Sequence, residues 1–484
     1  MIAPVTIDEL VVRASDTLAA AIATLDRNAV GIAFVVDDGG KLVGAIGPSE
    51  IAAKLRAGAS RDTRVAAAMP SDPHAPQATT PIDGAILPVL DDRGRPVDYA
   101  SAGRARRIPI AEPSLSGNEL RYVSECVTTS WISSQGPFVR RFENDFAAKT
   151  GARHALAVSN GTVALHLALL ALGIGPGDEV IVPDLTFAAT INAVIHAGAT
   201  PVIVDVDRTS WNIDPAAIAA AITPRTRAIM PVHLYGQPAD MDAVLSLADR
   251  HKLVVIEDAA EAIGAAYKGR HCGTLGHAGT FSFFSNKLIT TGEGGMVVFR
   301  DAEAAERARR LRDHGMDPAR RYWHLEVGYN YRLTNVQAAI GCAQLEQLDR
   351  FLARKLEIAE RYRRRLSPIE GLTLPALIDG HANSYWAFTM IVDLERLGLG
   401  RDALADRLEK ARIETRPVFY PLHEMPPYRE FAGNRDFAKT SWLSWNGISL
   451  PSAVTLSDAE IDYICGVIAR LFAVRRLARQ VLSA

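Results

Sequence analysis

The sequence predicts an α/β fold whose main domain is a mostly parallel sheet of seven strands with helices on both faces. Short apolar runs alternate with amphipathic stretches of helical period, and each apolar run has the length of one buried strand. We expect strands at residues 155–158, 179–182, 201–206, 228–232, 253–257, 279–284 and 295–299. Between the earlier strands we expect helices at residues 162–172, 188–197, 215–222 and 241–251.

A smaller α+β lobe is predicted to follow the main domain. The pattern is helical over residues 335–366, and the lobe then has a predicted strand at 386–392 and a predicted helix at 401–411. An entry segment with a helix at 117–128 precedes the main sheet. We therefore place three domains at residues 1–104, 105–350 and 351–484.

The first hundred residues predict a separate α+β module. A helix at 17–26 precedes strands at 31–36 and 41–46, which an Asp-Asp-Gly-Gly turn joins, and a weaker copy of this pattern follows at 85–99. This arrangement resembles a pair of CBS domains whose second copy is degenerate. The resemblance implies a structural or oligomerising module, or one that binds an unknown nucleotide. Gly47 stands where the nucleotide-binding pattern of CBS domains has threonine.

The composition argues against several functional classes. The 484 residues have a net charge of −2, without the basic excess that is typical of nucleic-acid binding. No uncharged run reaches the roughly 20 residues that a membrane helix needs. The 4 cysteines are far apart and form no CxxC pair, so no metal site is predicted. Few cysteines and no basic, apolar leader predict a cytoplasmic protein.

The stretch Ser159-Asn160-Gly161-Thr162 follows a predicted strand and begins a predicted helix. The free N–H groups at a helix N-terminus can bind a phosphate, and glycine lets the phosphate approach the backbone closely. Serine and asparagine are also common helix caps. By itself this stretch therefore leaves both a phosphate site and a simple cap open.

Two other stretches carry groups that a cofactor could use. A predicted strand ends at Asp258, where a carboxylate could pair with a protonated pyridine nitrogen. Lys287 follows another predicted strand and precedes a glycine-rich loop, where a deprotonated lysine could form a Schiff base with an aldehyde. Each stretch alone is equally typical of a solvated strand end or a surface lysine. Together with the helix N-terminus, they predict the three anchors of pyridoxal 5′-phosphate (PLP).

Longer stretches carry a family resemblance over residues 108–470. The chain resembles the fold-type I, PLP-dependent sugar-nucleotide aminotransferases in SNGTVALHLALLALGIGPGDEVIVPDLTF, PVHLYGQPADMD, VIEDAAEAIGA, FSFFSNKLITTGEGG, GYNYRLTNVQAAIG and TRPVFYPLH. Within that family, FSFFSNKLITTGEGGMV and RYWHLEVGYNYRLTN look most like the GDP-perosamine synthases. The resemblance implies the fold of PLP-dependent transferases of fold type I.

The resemblance also implies which residues bind PLP. Lys287 would form the Schiff base and move the proton, and Asp258 would pair with the pyridine nitrogen. The backbone N–H groups of Gly161 and Thr162 and the hydroxyl of Ser282 would hold the phosphate.

Three more residues complete the implied site. Phe187 would stack on the PLP ring, and Glu261 would lie beside its phenolic oxygen, where many relatives have glutamine. Asn330 would reach the cofactor phosphate of the neighbouring subunit, so the implied assembly is a homodimer with shared active sites. Arg416 and His423 lie in a motif shared with the family, and the sequence assigns them no role.

The implied reaction takes an amino group from L-glutamate, with pyridoxamine phosphate as the intermediate form of the cofactor. The amino group would go to the C4 ketone of a nucleotide-linked 4-keto-6-deoxy sugar, best matched by GDP-4-keto-6-deoxymannose, for surface polysaccharide. A UDP- or dTDP-linked keto sugar, or amination at C3, is an open alternative. Lys287 argues against a PLP sugar dehydratase, in which histidine replaces the lysine. A non-catalytic regulator that keeps PLP or a sugar nucleotide is the alternative from another class.

Overall fold

The structure is a computed structural model, and it describes residues 5–28, 30–69, 86–100 and 107–482. Residue 85, where the weaker copy of the module is predicted to begin, lies outside the described residues, as does residue 104 at the predicted domain boundary. The predicted domain limits therefore stay predictions.

The main domain contains the predicted seven-stranded sheet. In their spatial order its strands are His154–Val158, Gly295–Phe299, Ala278–Ser282, Val254–Asp258, Thr226–Ile229, Glu179–Pro183 and Thr200–Val204. Gly295–Phe299 runs antiparallel to both of its neighbours, and the other neighbouring pairs are parallel. The predicted strand at 279–284 ends at Ser282, because the chain leaves the sheet there to form the loop that carries Lys287.

Helices cover both faces of this sheet. They are Glu119–Thr128, Pro137–Thr150, Gly161–Ala171, Ala189–His196, Pro215–Ala221, Met241–His251, Ala302–Arg312 and Asn335–Leu345. On one face, the rings of Phe146 and Phe281 lie 4.9 Å apart in a buried aromatic cluster. On the other face, Leu156 of the first strand belongs to one buried apolar cluster with Leu165 and Leu169 of a covering helix. Burial on both faces explains why the strands are nearly continuous apolar runs.

The C-terminal lobe has a four-stranded antiparallel sheet. Its strands are, in spatial order, Leu372–Thr373, Phe388–Val392, Gly447–Leu450 and Arg416–Pro417. Its helices are Leu348–Leu366, Leu394–Leu397, Arg401–Lys410, Ala438–Asn446 and Asp458–Leu482. The predicted strand at 386–392 is wrong at its start, since the observed strand begins at Phe388 and Trp386 lies outside it.

Short elements connect the two lobes. Ala266–Tyr267, Arg270–His271 and His381–Ala382 form a small antiparallel sheet. Single turns of 3₁₀ helix occur at Leu234–Gly236, Leu422–Glu424 and Arg429–Phe431. His381–Ala382 belongs to the chain of the second lobe, so this small sheet ties it to the first.

The N-terminal module has a three-stranded sheet with helices. Its strands are Val11–Arg13, Ala33–Val36 and Leu42–Ile46, and its helices are Ile7–Leu10, Leu18–Arg27, Pro48–Arg56 and Val65–Ala68. Of the weaker copy, the described residues contain a hairpin, Leu87–Leu90 with Pro96–Ala100. The Glu50 carboxylate accepts a hydrogen bond from the Gly47 N–H at 3.0 Å, so this acid caps a helix.

The module packs against the last helix of the chain. Arg470 Nε donates a hydrogen bond to the Val30 carbonyl at 2.6 Å. Asp26 forms ion pairs with Arg475 at 3.0 Å and Arg407 at 3.5 Å. The module is therefore held on the C-terminal lobe by buried apolar contacts and by charged groups. Across the described ranges, no helix is both long and apolar enough to cross a bilayer.

Candidate active site

The predicted site residues come together where the parallel strands of the main sheet end. The strands that precede Ser159, Asp184, Asp258 and Ser282 point the same way, so their carboxyl ends meet at one edge of the sheet. Ligands of open α/β sheets bind at this edge. The strand ends, loops and helix start at this edge contain all of the predicted site residues except Asn330.

Asp258 is held rigidly at the end of its strand and is only 5% exposed. Its Oδ2 accepts a hydrogen bond from Thr190 Oγ1 at 2.8 Å, and its Oδ1 accepts one from the Ala260 N–H at 3.1 Å. Burial raises the pKa of Asp258, and the hydrogen bonds from Thr190 and Ala260 oppose this rise. A buried carboxylate with two donors is suited to one further, cationic partner.

The Lys287 side chain is 13% exposed and lies beside Glu261 and Trp386. Its Nζ lies 3.6 Å from Glu261 Oε1 and 4.0 Å from the centre of the Trp386 ring. Burial lowers the pKa of Lys287, although the charges of Glu261 and Asp258 oppose that change. A lowered pKa increases the fraction of free amine, which is the nucleophilic form.

Glu261 is buried next to the Lys287 amine. Its Oε2 accepts a hydrogen bond from the Tyr235 N–H at 2.9 Å. Burial raises the pKa of Glu261 to about 7, so near neutral pH both of its protonation states are populated. Tyr235 has a left-handed backbone (φ 54°), a costly conformation for a residue with a bulky side chain. The contact with Glu261 thus fixes a strained residue at the site.

The helix N-terminus at Gly161 has the cap that its sequence allows, and the phosphate site there stays a prediction. Asn160 caps the helix, because its Oδ1 accepts a hydrogen bond from the Val163 N–H at 3.0 Å. The N–H groups of Gly161 and Thr162 belong to the first helical turn, which has no internal acceptors for them. A Cβ atom at Gly161 would lie 2.9 Å from Ser282 Cβ, so glycine lets the helix start approach Ser282 closely.

Phe187 and Asn330 lie at the periphery of this group. Phe187 is 60% exposed, and its ring centre is 5.9 Å from that of Phe419. Asn330 is exposed and lies on the segment that pairs with Asp313. Its predicted contact with the cofactor of a neighbouring subunit stays a prediction.

Arg416 and His423, to which the sequence assigns no role, have different surroundings in the structure. Arg416 lines a cavity of about 60 Å³ together with Asn286 and Trp386, next to Lys287. His423 instead contacts the buried Asp184, with Nδ1 at 2.7 Å from Oδ2, and this contact raises the pKa of His423. Arg416 thus faces the site, whereas His423 ties the C-terminal lobe to the end of a sheet strand.

Sequence reasoning missed Thr190, Tyr235 and Trp386. Thr190 lies within a predicted helix and Trp386 within a predicted strand. Neither position can therefore be recognised from the sequence as part of a site at a strand end. The near-parallel rings of Tyr235 and Trp386 lie 6.0 Å apart, and those of Tyr235 and Phe419 lie 5.4 Å apart. These rings come from separate parts of the chain, and only folding brings them together.

This geometry agrees with the comparison with protein families. Residues 113–469 match the model described as the DegT/DnrJ/EryC1/StrS aminotransferase family. The chain belongs to this family. Residues 2–57 match the model of the CBS domain. The predicted family, the fold class with its N-terminal module, and the prediction of an aminotransferase are confirmed.

Individual relatives are similar over nearly their whole length. The GDP-perosamine synthase of Caulobacter vibrioides is 51% identical, over 74% of this chain and 96% of the relative. The GDP-perosamine synthase of Escherichia coli O157:H7 is 48% identical, over 74% and 96% respectively. Among solved structures, the PLP form of a putative sugar aminotransferase, Spr1654 of Streptococcus pneumoniae, is 27% identical. It has a TM-score of 0.71 and covers 77% of this chain and 100% of its own.

Proposed function

We propose that this chain moves an amino group from L-glutamate to the C4 ketone of GDP-4-keto-6-deoxymannose, with PLP as its cofactor. The product would be GDP-perosamine, a precursor for surface polysaccharide. The observation that carries this proposal is the identity of 51% and 48% to two GDP-perosamine synthases over 96% of their length. The burial of Lys287 and Asp258 at one edge of the sheet supports the chemistry.

The side chains at this edge fit PLP. The N–H groups of Gly161 and Thr162, with the Ser282 hydroxyl, suit a phosphate. Asp258 suits a protonated pyridine nitrogen, and Lys287 suits an aldehyde carbon. When bound, PLP supplies an electron sink for the amino-group transfer.

Asp258 would hold a positive charge on the ring nitrogen. Its carboxylate already accepts hydrogen bonds from Thr190 and Ala260, which fix its direction. In a buried site, an ionised carboxylate favours a cationic partner strongly. Asp258 would thereby keep the ring protonated, and Phe187 would cover one face of the ring at the open side of the site.

Lys287 would act as the proton carrier at the reacting carbon. Burial lowers the pKa of Lys287, which favours an amine that can accept a proton at Nζ and return it. Glu261 Oε1 lies 3.6 Å away and Trp386 covers one side of the amine, which leaves the Lys287 side chain 13% exposed. Near neutral pH the protonated form of Glu261 could donate a hydrogen bond to a phenolic oxygen of the cofactor.

We also propose a homodimer with shared active sites. Asn330 follows a segment with large exposed apolar side chains, and such patches are typical of protein interfaces. These side chains are Tyr322, Trp323, Leu325 and Val327, exposed by 73%, 50%, 55% and 91%. A partner that covers this segment would bring Asn330 of one subunit to the cofactor phosphate of the other. A nucleotide ligand at the N-terminal module stays a prediction.

The test is a glutamate-dependent amination assay with three substrates: GDP-4-keto-6-deoxymannose and the UDP- and dTDP-linked 4-keto-6-deoxyglucoses. We expect turnover with the GDP sugar. Turnover confined to a UDP or dTDP sugar would refute the substrate and keep the aminotransferase. If the purified protein binds PLP and glutamate bleaches its visible absorbance, yet no sugar is aminated, the substrate is another keto sugar. If glutamate leaves the absorbance unchanged, the regulator alternative is favoured.

Lys287→Ala is the matched control. This variant should show neither the visible absorbance of a lysine-bound cofactor nor turnover. Full turnover by the variant would refute the role of Lys287.

A further inference from the structure

Trp386 joins the C-terminal lobe to the loop that carries Lys287. Its indole N–H donates a hydrogen bond to the Asn286 carbonyl at 2.9 Å. The face of the same ring lies 4.0 Å from Lys287 Nζ. Two neighbouring residues of the loop are therefore contacted by one side chain, which fixes both the loop and the amine.

The buried Lys355 forms a hydrogen bond with the backbone of Trp386. Lys355 Nζ donates hydrogen bonds to the Trp386 carbonyl at 2.8 Å and to Ser452 Oγ at 3.3 Å. Lys355 lies on the helix Leu348–Leu366, and its side chain is 5% exposed. Ser452 lines the same cavity of about 60 Å³ as Trp386 and Asn286. This buried lysine therefore contacts the wall of the site and not the surface.

A lysine at this position is unusual on energetic grounds. Within the described residues, the Lys355 amine pairs with no carboxylate. Burial of an unpaired ammonium is costly, and here burial lowers the pKa of Lys355 to about 7. An apolar side chain such as methionine would fill similar space without that cost. The two donated hydrogen bonds are what the lysine adds.

We propose that Trp386 is a positioning residue for the Lys287 amine and that Lys355 positions Trp386. This inference rests on the proposed function, because it assumes that Lys287 carries the cofactor. The face of an indole ring attracts a cation, so Trp386 favours the protonated form of a nitrogen at the Lys287 position. Lys355 keeps the ring at that distance by holding the Trp386 carbonyl.

The experiment measures the pH midpoint of the visible absorbance of the PLP-loaded protein. Trp386→Phe keeps an apolar wall over Lys287, but it weakens the cation–π contact and removes the hydrogen bond to Asn286. The midpoint should therefore move to lower pH, by roughly half a unit. Lys355→Met should move it in the same direction. The double variant should move it no further than Trp386→Phe alone, because both act through one ring.

The direction of the shift separates positioning from a direct charge effect. If Lys355 acted only through its own positive charge, its removal would favour the protonated form and raise the midpoint. A raised or unchanged midpoint in Lys355→Met overturns its role, and an unchanged midpoint in Trp386→Phe overturns the proposal as a whole. Lys268→Met is the matched control, since Lys268 is a surface lysine paired with Asp242.

The variant Lys287→Ala separates the positioning roles of Trp386 and Lys355 from the proposed function. Lys287→Ala must abolish the pH-dependent visible absorbance if Lys287 carries the cofactor. An abolished signal in Lys287→Ala together with unchanged midpoints in both other variants refutes the positioning roles alone. A purely structural role would lower the melting temperature of the variants without moving the midpoint, and that result would also overturn the proposal.

Discussion

Thr190 offers the sharpest test of how Asp258 is prepared for a cofactor. Its hydroxyl donates to Asp258 Oδ2 at 2.8 Å and lies 2.8 Å from Thr186 Oγ1, in a buried chain of polar groups. Thr190→Val keeps the shape of the side chain and removes the donor. Within the described residues, the donor that remains to the Asp258 carboxylate is the Ala260 N–H at 3.1 Å.

The size of the effect follows from the charge of the acceptor. A hydrogen bond to a charged group contributes about 1.5–3 kcal/mol, which corresponds to a rise of roughly one to two units in the pKa of the carboxyl group. Burial already raises the pKa of Asp258, so a further rise leaves more of it protonated near neutral pH. A neutral carboxyl group holds a protonated ring nitrogen poorly. We therefore expect PLP to bind about 10- to 100-fold more weakly.

The assay is a titration of apoprotein with PLP, followed by absorbance, at several pH values. Because a raised pKa is overcome at higher pH, the deficit of Thr190→Val should shrink as the pH increases. Thr190→Ser keeps the hydroxyl and should bind PLP nearly as well as the parent protein. An affinity for PLP within twofold of the parent in Thr190→Val, or an equal loss in Thr190→Ser, would refute this account of Asp258.

Three other changes test separate parts of the structure. Gly161→Ala should weaken PLP binding at least tenfold in the same titration, because its Cβ would lie 2.9 Å from a neighbouring side chain and push the helix start away. Burial raises the pKa of Glu261 from 4.5 to about 7, so the contribution of Glu261 to stability is fully present below pH 4.5 and is lost as the pH rises through 7. Glu261→Gln should unfold like the parent in urea at pH 4.5 and should be more stable by about 3 kcal/mol above pH 7. Gly31→Ala should loosen the N-terminal module, measured by limited proteolysis, because its Cβ would lie 2.5 Å from Arg470 Cβ; Gly58→Ala, with φ +94° and open space, is the control for backbone strain alone.

Much of the site could be read from short stretches of sequence. Asp258 and Lys287 each follow an apolar strand, and parallel strands end at one edge of a sheet, so their proximity follows from chain order. The cap and the free N–H groups at Gly161 are local features of one helix start. The positions of these residues are predictable because each depends on a few neighbouring residues and on the direction of a strand, whereas their roles toward a cofactor stay predictions.

Other features depend on contacts between distant parts of the chain. The strand predicted at 386–392 is wrong at Trp386 because an apolar run does not show where the backbone leaves a sheet. Thr190 looks like any residue of a buried helix until the structure places its hydroxyl beside Asp258. Lys355 has the appearance of a surface lysine in a charged helix, yet it is 5% exposed.

The sequence by itself determined the order of the elements, the family and the chemical groups at the sheet edge, because motifs and periodicity are local properties of the chain. The tertiary structure decided the protonation preferences of those groups. Burial raises the pKa of Glu261 and lowers those of Lys287 and Lys355, and burial is a property of everything that packs around a residue. Only the folded arrangement therefore shows that Trp386 packs on Lys287 and that Lys355 holds the Trp386 carbonyl.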